Sequence, residues 1–565
     1  MHTILFKRLH ICLWPVIALL GVACSTGQPE SNTAESRTAA VAMPDSYSAA
    51  VASTILESGG NAVDAAVAAA FTLAVTYPES GNIGGGGFMM IYIDGDAQFL
   101  DYRETAPLGA HRDMFLDSDG EVIERSSLIG RKAAGVPGTV AGLWAAHQNH
   151  GTVSWHELVA PAIRLAEDGF VVPAALEATR RRSETWFSDE TNFSAYFSSM
   201  TAGENFRQPE LAATLRRIAQ YGPDDFYRGE TAALLVTEME RGDGLITADD
   251  LARYEAVWRE PLHASWRDYQ IVSAPLPSSG GFAVIQLLKM KDYLAHEFEG
   301  LEHNSPQYIH LVAEIEKRVF ADRAEYFGDP DAIDVPIERL ISDEYIRSRA
   351  REVDASKISN LDSVQPGLEP FDTIHFSIVD YQGNAVSNTY TLNGSFGDGV
   401  IVEGAGFLLN NEMDDFSIKP GVPNMYGVVG GTANEIQPGK RMLSSMSPTI
   451  LLRDGDIEMV VGTPGGSTIF TSVFQIIVNI YDFGMTPAEA AGASRFHHQL
   501  LPPDLITFSP GVPLPANTIS ALAERGYRVR PHGYPFGNIQ VIHKDGDQLR
   551  PASDPRKRGE SRVLH

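Results

Sequence analysis

Thr373 opens a run, Thr373-Ile-His-Phe-Ser-Ile-Val379, in which hydroxyl and imidazole side chains alternate with large apolar ones, directly after Pro370-Phe-Asp372. A threonine hydroxyl is a weak nucleophile in mid-chain. It becomes a strong one at a chain start, because a free α-amine with a pKa of about 7.7–8.0 can take its proton near neutral pH. The same hydroxyl can make that chain start for itself. Attack on the carbonyl of Asp372 gives an ester, and water then hydrolyses it. Thr373 is therefore a candidate nucleophile and the bond Asp372–Thr373 a candidate cleavage site. A threonine at a strand start is also an ordinary β-former, so its neighbours decide between the readings.

The alternation from Thr373 to Ile378 has the period of a half-buried strand. Asp380-Tyr-Gln-Gly-Asn384 carries turn residues, and Ala385 to Thr391 predicts a second strand. A turn centred on Gln382 sets Thr391 opposite Thr373 in an antiparallel hairpin. Around this hairpin, Ala49 to Ala74 is alanine-rich and broken by Gly59-Gly60, which predicts two helices joined at Ser58-Gly-Gly-Asn61. Gln307 to Tyr326 predicts a helix, and Phe88 to Ile93, Tyr269 to Ala274 and Met459 to Val461 predict strands. Gly84 to Gly87 lacks both a following Lys-Ser/Thr and a complete G-x-G-x-x-G, so close packing is expected rather than phosphate binding.

The 565 residues contain no mid-chain linker composition and no fixed-period repeat, and we expect one large mixed helix-and-strand body. A net charge of −28 argues against a nucleic-acid partner. Lys7, Arg8 and His10 precede an apolar run from Ile11 to Ala23, the pattern of a secretory signal over residues 1–24. We expect an exported, periplasmic protein. Cys24 could carry a lipid anchor or simply follow an ordinary cleavage site, and residues 25–40 are expected to form a flexible tether. Cys12 and Cys24 are the two cysteines, so the body from residue 41 on has neither a disulfide nor thiol chemistry. The neighbouring His497 and His498 do not chelate together in a helix or strand, and no H-E-x-x-H or G-x-S-x-G pattern is present.

Five segments of the C-terminal part, Thr373-Ile-His-Phe-Ser-Ile-Val-Asp380, Thr391-Leu-Asn393-Gly-Ser-Phe-Gly397, Leu409-Asn-Asn-Glu-Met-Asp-Asp-Phe416, Leu443-Ser-Ser-Met-Ser-Pro-Thr449 and Gly462-Thr-Pro-Gly-Gly-Ser467, resemble in order the γ-glutamyltransferase family of N-terminal-nucleophile hydrolases. The N-terminal half is similar too, through Ser58 to Ala66, Ser80 to Phe88, Asp101 to Pro107, Gly135 to Thr139 and Phe320-Ala-Asp-Arg323. The resemblance implies an α+β fold, a four-layer αββα sandwich. It also implies a precursor that cuts itself into a large subunit, residues 41–372, and a small catalytic subunit, residues 373–565, which remain together as a heterodimer.

By position in these motifs, the family casts Thr373 as the group that accepts γ-glutamyl and Thr391 as its hydrogen-bond partner. Gly465 and Gly466 are cast as oxyanion donors. Arg103, Ser444 and Ser445 are expected to hold the glutamyl carboxylate, and Asn393, Glu412 and Asp415 the ammonium. Seen alone, Arg103 reads as an ion-paired surface residue and Asp415 as a helix cap. Ile374 departs from the small or hydroxylated residue usual beside the nucleophile. Pro420-Gly-Val-Pro-Asn-Met-Tyr-Gly427 resembles a lid, with Tyr426 as its bolt. The resemblance implies no metal or cofactor. Donors such as glutathione and acceptors such as water, amino acids or peptides are the expected small-molecule partners. A glutaryl or cephalosporin acylase of the same family, or a silent lipoprotein binding γ-glutamyl peptides, are the alternatives.

Overall fold

The hairpin expected around Gln382 is present in the computed structural model, which describes residues 38–360, 373–419, 430–533 and 537–565, together with Gly421, Val422, Asn424 and Gly427. The signal segment, Cys24, most of the tether, Asp372 and Tyr426 lie outside the described residues. In chain order the principal strands are β1 (Ala39–Met43), β2 (Gly86–Ile93), β3 (Asp96–Tyr102), β4 (Val257–Arg259), β5 (Leu262–Trp266) and β6 (Tyr269–Ser273). The hairpin strands β7 (Ile374–Val379) and β8 (Ala385–Thr391) follow, then β9 (Thr449–Arg453), β10 (Asp456–Gly462), β11 (Gln540–Asp545), β12 (Gln548–Ser553) and β13 (Glu560–Leu564).

Strand β7 pairs antiparallel with β8 from Ala385↔Val379 to Tyr390↔Ile374. One further step of this register sets Thr391 opposite Thr373. The turn is fixed by Asp380, whose carboxylate accepts the N–H groups of Gln382 and Asn384, each at 2.9 Å.

The strand is not half-buried as its alternation suggests; both faces are covered. The hairpin lies in the middle of a seven-stranded sheet ordered β13-β1-β7-β8-β2-β3-β4, which stacks on a six-stranded sheet ordered β12-β11-β10-β9-β6-β5. Ile374, Phe376 and Ile378 point to the helices on the outer face of the first sheet. His375 and Ser377 point between the sheets, where buried polar groups must find partners. They do: His375 Nδ1 lies 2.7 Å from Thr389 Oγ1 and Nε2 lies 3.1 Å from Ser377 Oγ, which donates to the Gln540 carbonyl at 3.1 Å. Gly462 on the facing sheet makes room, since a Cβ there would sit 2.3 Å from the imidazole.

Three cores account for the four layers. The first packs helices α1 (Ser46–Glu57) and α2 (Ala62–Thr76) on the first sheet, with α3 (Trp155–Asp168) against α2. The second, with Phe88, Met90, Val272, Ile450 and Val460, fills the space between the sheets. The third packs α4 (Gly280–Tyr293) and α6 (Ile469–Tyr481) on the second sheet, with α5 (Pro306–Tyr326) against α4. Helices α1 and α2 are separated where the sequence places the break, and α2 starts at a capping box in which Asn61 and Asp64 satisfy each other's backbone N–H groups. Alanine suits α2 because every one of its residues is buried against neighbours that leave little room.

The tether boundary needs correction. Ala39 and Ala40, placed in the tether, are buried residues of β1, which lies between β13 and β7. The described residues form one compact unit. The glycines of residues 84–87 pack tightly, as expected: a Cβ at Gly85 would meet the Thr391 carbonyl at 2.0 Å.

Candidate active site

Residues distant in sequence converge on one small cavity lined by Thr373, Thr391, Asn393, Arg103, Glu412, Asp415, Ser444, Ser445 and Gly466. Several different backbone devices place them. Thr373 immediately precedes β7, and Thr391 ends β8. Asn393 follows in a left-handed turn, φ 72°, that Asn tolerates because its side chain can bond locally, here to the Asn411 carbonyl at 3.0 Å. Arg103 leaves β3. Glu412 and Asp415 share one 3-10 turn, Glu412–Asp415, and Ser444 and Ser445 lie in the segment entering β9.

The two threonines are nearly inaccessible, at 5% and 2% exposure. Thr391 Oγ1 accepts the Asn393 N–H at 2.8 Å, which fixes its rotamer and leaves its own proton to be donated. Its carbonyl is held by Asn82 Nδ2 at 2.8 Å. Thus Thr391 is held at both its hydroxyl and its carbonyl.

Charge is concentrated beside these hydroxyls. Arg103 is buried; Nη2 meets Asp415 Oδ2 at 2.5 Å, Nη1 bonds Glu412 Oε1, and Nε donates to the Met442 carbonyl at 3.3 Å. Burial works against the guanidinium's charge, but Glu412, Asp415 and Glu104 outweigh it and keep it protonated. The acids respond oppositely. Burial raises Glu412 well above the ordinary carboxyl range and raises Asp415, with Arg103 pulling both back down. Glu104, 3.7 Å from Arg103 and without a hydrogen bond to either oxygen, is pushed up to about 8 by burial, against the pull of Arg103. The site therefore holds opposite charges side by side in a poorly solvated place, the arrangement that suits a zwitterionic ligand.

Gly465 and Gly466 follow β10 and lead into α6. Gly465 sits at φ 136° and Gly466 at φ 54°, and a Cβ on Gly465 would come within 2.4 Å of Thr468 Oγ1. Of the pair, Gly466 reaches the cavity lining. Neither N–H makes a hydrogen bond among the described residues, so both remain free to donate to a developing oxyanion.

Four lining residues were not singled out from the sequence as site residues: Arg323, on α5, Met446, Ser467 and Ile469. Arg323 was visible only as the end of the Phe320-Ala-Asp-Arg motif. Ser467 Oγ donates to Gln499 Oε1 at 2.6 Å, and that oxygen also lies 2.9 Å from His497 Nε2. His497 and His498 diverge, the first bonding Thr471 and Gln499, the second accepting the Leu500 N–H at Nδ1. Burial holds His497 down at about 4 and His498 well below its ordinary value. Among the described residues no group of three or more His, Cys, Asp or Glu side chains is arranged to hold a metal ion.

Known proteins resemble this chain in sequence and in fold. The family model described as Gamma-glutamyltranspeptidase matches residues 48–564. A glutathione hydrolase proenzyme of Pseudomonas aeruginosa is 56% identical over 564 residues, covering 100% of both chains. Among solved structures, a γ-glutamyltranspeptidase from Pseudomonas nitroreducens complexed with L-DON is 57% identical over 56% of this chain and 95% of its own, with a TM-score of 0.56. A cephalosporin acylase from Bacillus halodurans superposes with a TM-score of 0.80 over 93% of this chain and 96% of its own, at 26% identity.

Proposed function

The chain belongs to the γ-glutamyltranspeptidase family, and on that premise we propose that it is a glutathione hydrolase and γ-glutamyltransferase made as a self-cleaving precursor. The observation that carries the reading is the convergence of Thr373, Thr391, Gly466 and the Arg103–Glu412–Asp415 charge cluster on one cavity. Thr373 Oγ1 attacks the Asp372 carbonyl, the resulting ester is hydrolysed, and the freed α-amine becomes the base for turnover. The solved γ-glutamyltranspeptidase chain supports this cut, being covered almost entirely by little more than half of this one.

In turnover, Thr373 Oγ1 adds to the γ-carbonyl of the donor while its proton passes to the α-amine. The oxyanion is received by the N–H groups of Gly465 and Gly466, and Thr391 donates to the nucleophile's oxygen. Collapse breaks the amide bond, the leaving amine takes the proton, and a γ-glutamyl ester remains on Thr373. Water or an acceptor amine then resolves it.

Binding of the glutamyl head exchanges like for like. The donor's α-carboxylate takes Arg103 together with the Ser444 and Ser445 hydroxyls, and its α-ammonium takes Glu412, Asp415 and the Asn393 side chain. Each charge of the resting Arg103–Glu412–Asp415 cluster thus finds a new partner, and no buried charge is left bare. A glutaryl donor, which has no ammonium, would take Arg103 away and leave both carboxylates unmatched. That asymmetry favours γ-glutamyl donors over the acylase alternative, and the intact nucleophile and glycine pair disfavour a silent binding protein.

Release of glutamate from glutathione by the purified protein, set beside release of glutarate from a glutaryl amide, tests the reading. Preference for the glutaryl donor would contradict it. We further propose export to the periplasm with the large and small subunits as a heterodimer, a lid bolted by Tyr426, and anchoring through Cys24 if that residue is lipidated.

A further inference from the structure

Six arginines are buried in the described residues: Arg103, Arg180, Arg318, Arg323, Arg441 and Arg495. Five of them have a carboxylate within ion-pair distance: Arg103 with Asp415, Arg180 with Glu184, Arg318 with Glu314, Arg441 with Asp101 and Arg495 with Asp554. Arg323 has none among the described residues. It is 8% exposed, it lines the same cavity as Thr373, and its one hydrogen bond among the described residues is from Nε to Ser279 Oγ at 3.1 Å. Ser279 Oγ in turn donates to the Ser444 carbonyl at 2.8 Å, so the guanidinium is held at Nε while its two terminal nitrogens make no hydrogen bond among the described residues. The acidic charge that acts on it, Asp415, is already committed to Arg103.

A buried guanidinium without a counter-ion is disfavoured unless the counter-ion arrives with a ligand. Consistent with this, burial lowers Arg323 to about 10, with Arg103 adding to the effect and Asp415 opposing it. The ligand's chemistry follows from counting charges, and the count rests on the function proposed above. The glutamyl head supplies one carboxylate and one ammonium, and both are matched by Arg103, Glu412 and Asp415. A peptide donor of the glutathione kind has a second carboxylate, at the C-terminus of its leaving group, and an amino-acid or peptide acceptor presents the equivalent group on the same side of the scissile bond.

We propose that Arg323 is a specificity residue that binds the C-terminal carboxylate of the leaving group and of the acceptor, through its two terminal nitrogens. The cavity thus offers two guanidiniums for the two carboxylates of the donor. No bond is made or broken by Arg323; it selects α-amino-acid and peptide amides over amides of uncharged amines.

Three donors separate this from other roles: glutathione, its glycine carboxamide, and a γ-glutamyl anilide without a leaving-group carboxylate. The parent enzyme should prefer glutathione to the carboxamide by about tenfold or more in kcat/KM, chiefly through KM, because a site built for a charged group rejects the analogue lacking it. Arg323→Met should abolish that preference and lower kcat/KM for glutathione at least tenfold, while anilide hydrolysis falls by no more than about threefold; Arg323→Lys should retain part of the preference. Equal losses on glutathione and anilide would place Arg323 at the glutamyl head and overturn the proposal. If Arg323→Met fails to mature, the parent's acid-against-carboxamide comparison still decides, and equal efficiency there overturns the proposal too. Failure of the parent to hydrolyse the anilide at all would instead overturn the activity on which the proposal rests.

Discussion

Two positions on the same face of the same hairpin, two residues apart, behave in opposite ways. His375 and Thr389 face each other between the sheets with every hydrogen bond made locally, the imidazole spanning Thr389 and Ser377. Thr373 and Thr391, one alternation further along, open on the cavity, and the Thr373 hydroxyl has no partner among the described residues. Alternation supplies polar groups at both places. Reactivity comes only where the sheet stops covering them and where a chain end can be made. The difference teaches that the hairpin is a rigid rail, satisfied inside, whose end at the cavity is where the proposed chemistry takes place.

Removing the reactive end should have the largest effect. Thr373→Ala deletes the attacking hydroxyl, and an intact, folded, inactive precursor is expected on a gel, whereas Thr373→Ser should cut slowly and retain some turnover. Normal maturation of the alanine variant would show that the cut is made elsewhere or by another protease. Gly465→Ala comes next, because a methyl group has no room beside Thr468 Oγ1 and φ 136° is unfavourable for an L-residue. With the oxyanion donors displaced, kcat should fall roughly 100- to 1,000-fold. Unchanged kcat in a correctly processed variant would remove the glycine pair from the oxyanion site.

Arg103→Leu should lower kcat/KM for a γ-glutamyl anilide at least about tenfold to a hundredfold, equivalent to one charge-assisted contact of roughly 1.5–3 kcal/mol. Self-cleavage should continue, since in the proposed mechanism Arg103 serves the donor and not the attack on Asp372. A processed variant with the parent's rate would show that Arg103 is not the carboxylate anchor.

Changes on the rail itself should alter stability and leave chemistry nearly intact. His375→Phe keeps an aromatic ring but leaves Thr389 and Ser377 with lost partners, so a loss of about 1–3 kcal/mol in stability is expected, with turnover per processed molecule within about threefold of the parent. The parent should also show an acid dependence. Burial lowers His375 to about 3, and it lowers His532, also to about 3, and His497, to about 4. Above the unfolded value of about 6.5 these rings are neutral in both states, so the fold loses nothing. As the pH falls from there towards 3 the unfolded chain binds protons that the fold does not, and stability drops progressively. Denaturant titrations at pH 7 and pH 5 should show the drop, smaller in His375→Phe; an equal drop would mean that His375 titrates alike in both states.

The hairpin and its register were legible in the sequence because Asp380 to Asn384 carries the turn chemistry and the alternation fixes which residues face each other. Its full burial was not legible, because alternating polar residues look solvated until a second sheet covers them, and the Gly462 that makes room for His375 is 87 residues away. The start of β1 was missed for a similar reason: Ala39-Ala40 has no periodicity, and only its place between two strands makes it part of the sheet. Arg103, Glu412 and Asp415 could be named from motifs, but their mutual pairing is a property of the folded site. Arg323 was overlooked because an arginine on a long helix normally finds an acid on its own or a neighbouring element. What marks it is the absence of one among the described residues, which no linear pattern records.

The central claim, that the chain creates its own catalytic end, is tested most directly by intact mass and N-terminal sequencing of the purified protein. Two chains of roughly 38 and 21 kDa are expected, scaled by length from the 61.4 kDa of the whole after loss of the first 24 residues, and the smaller should begin Thr-Ile-His-Phe. A single uncut chain with full γ-glutamyl activity, or a small chain beginning at another residue, would contradict it.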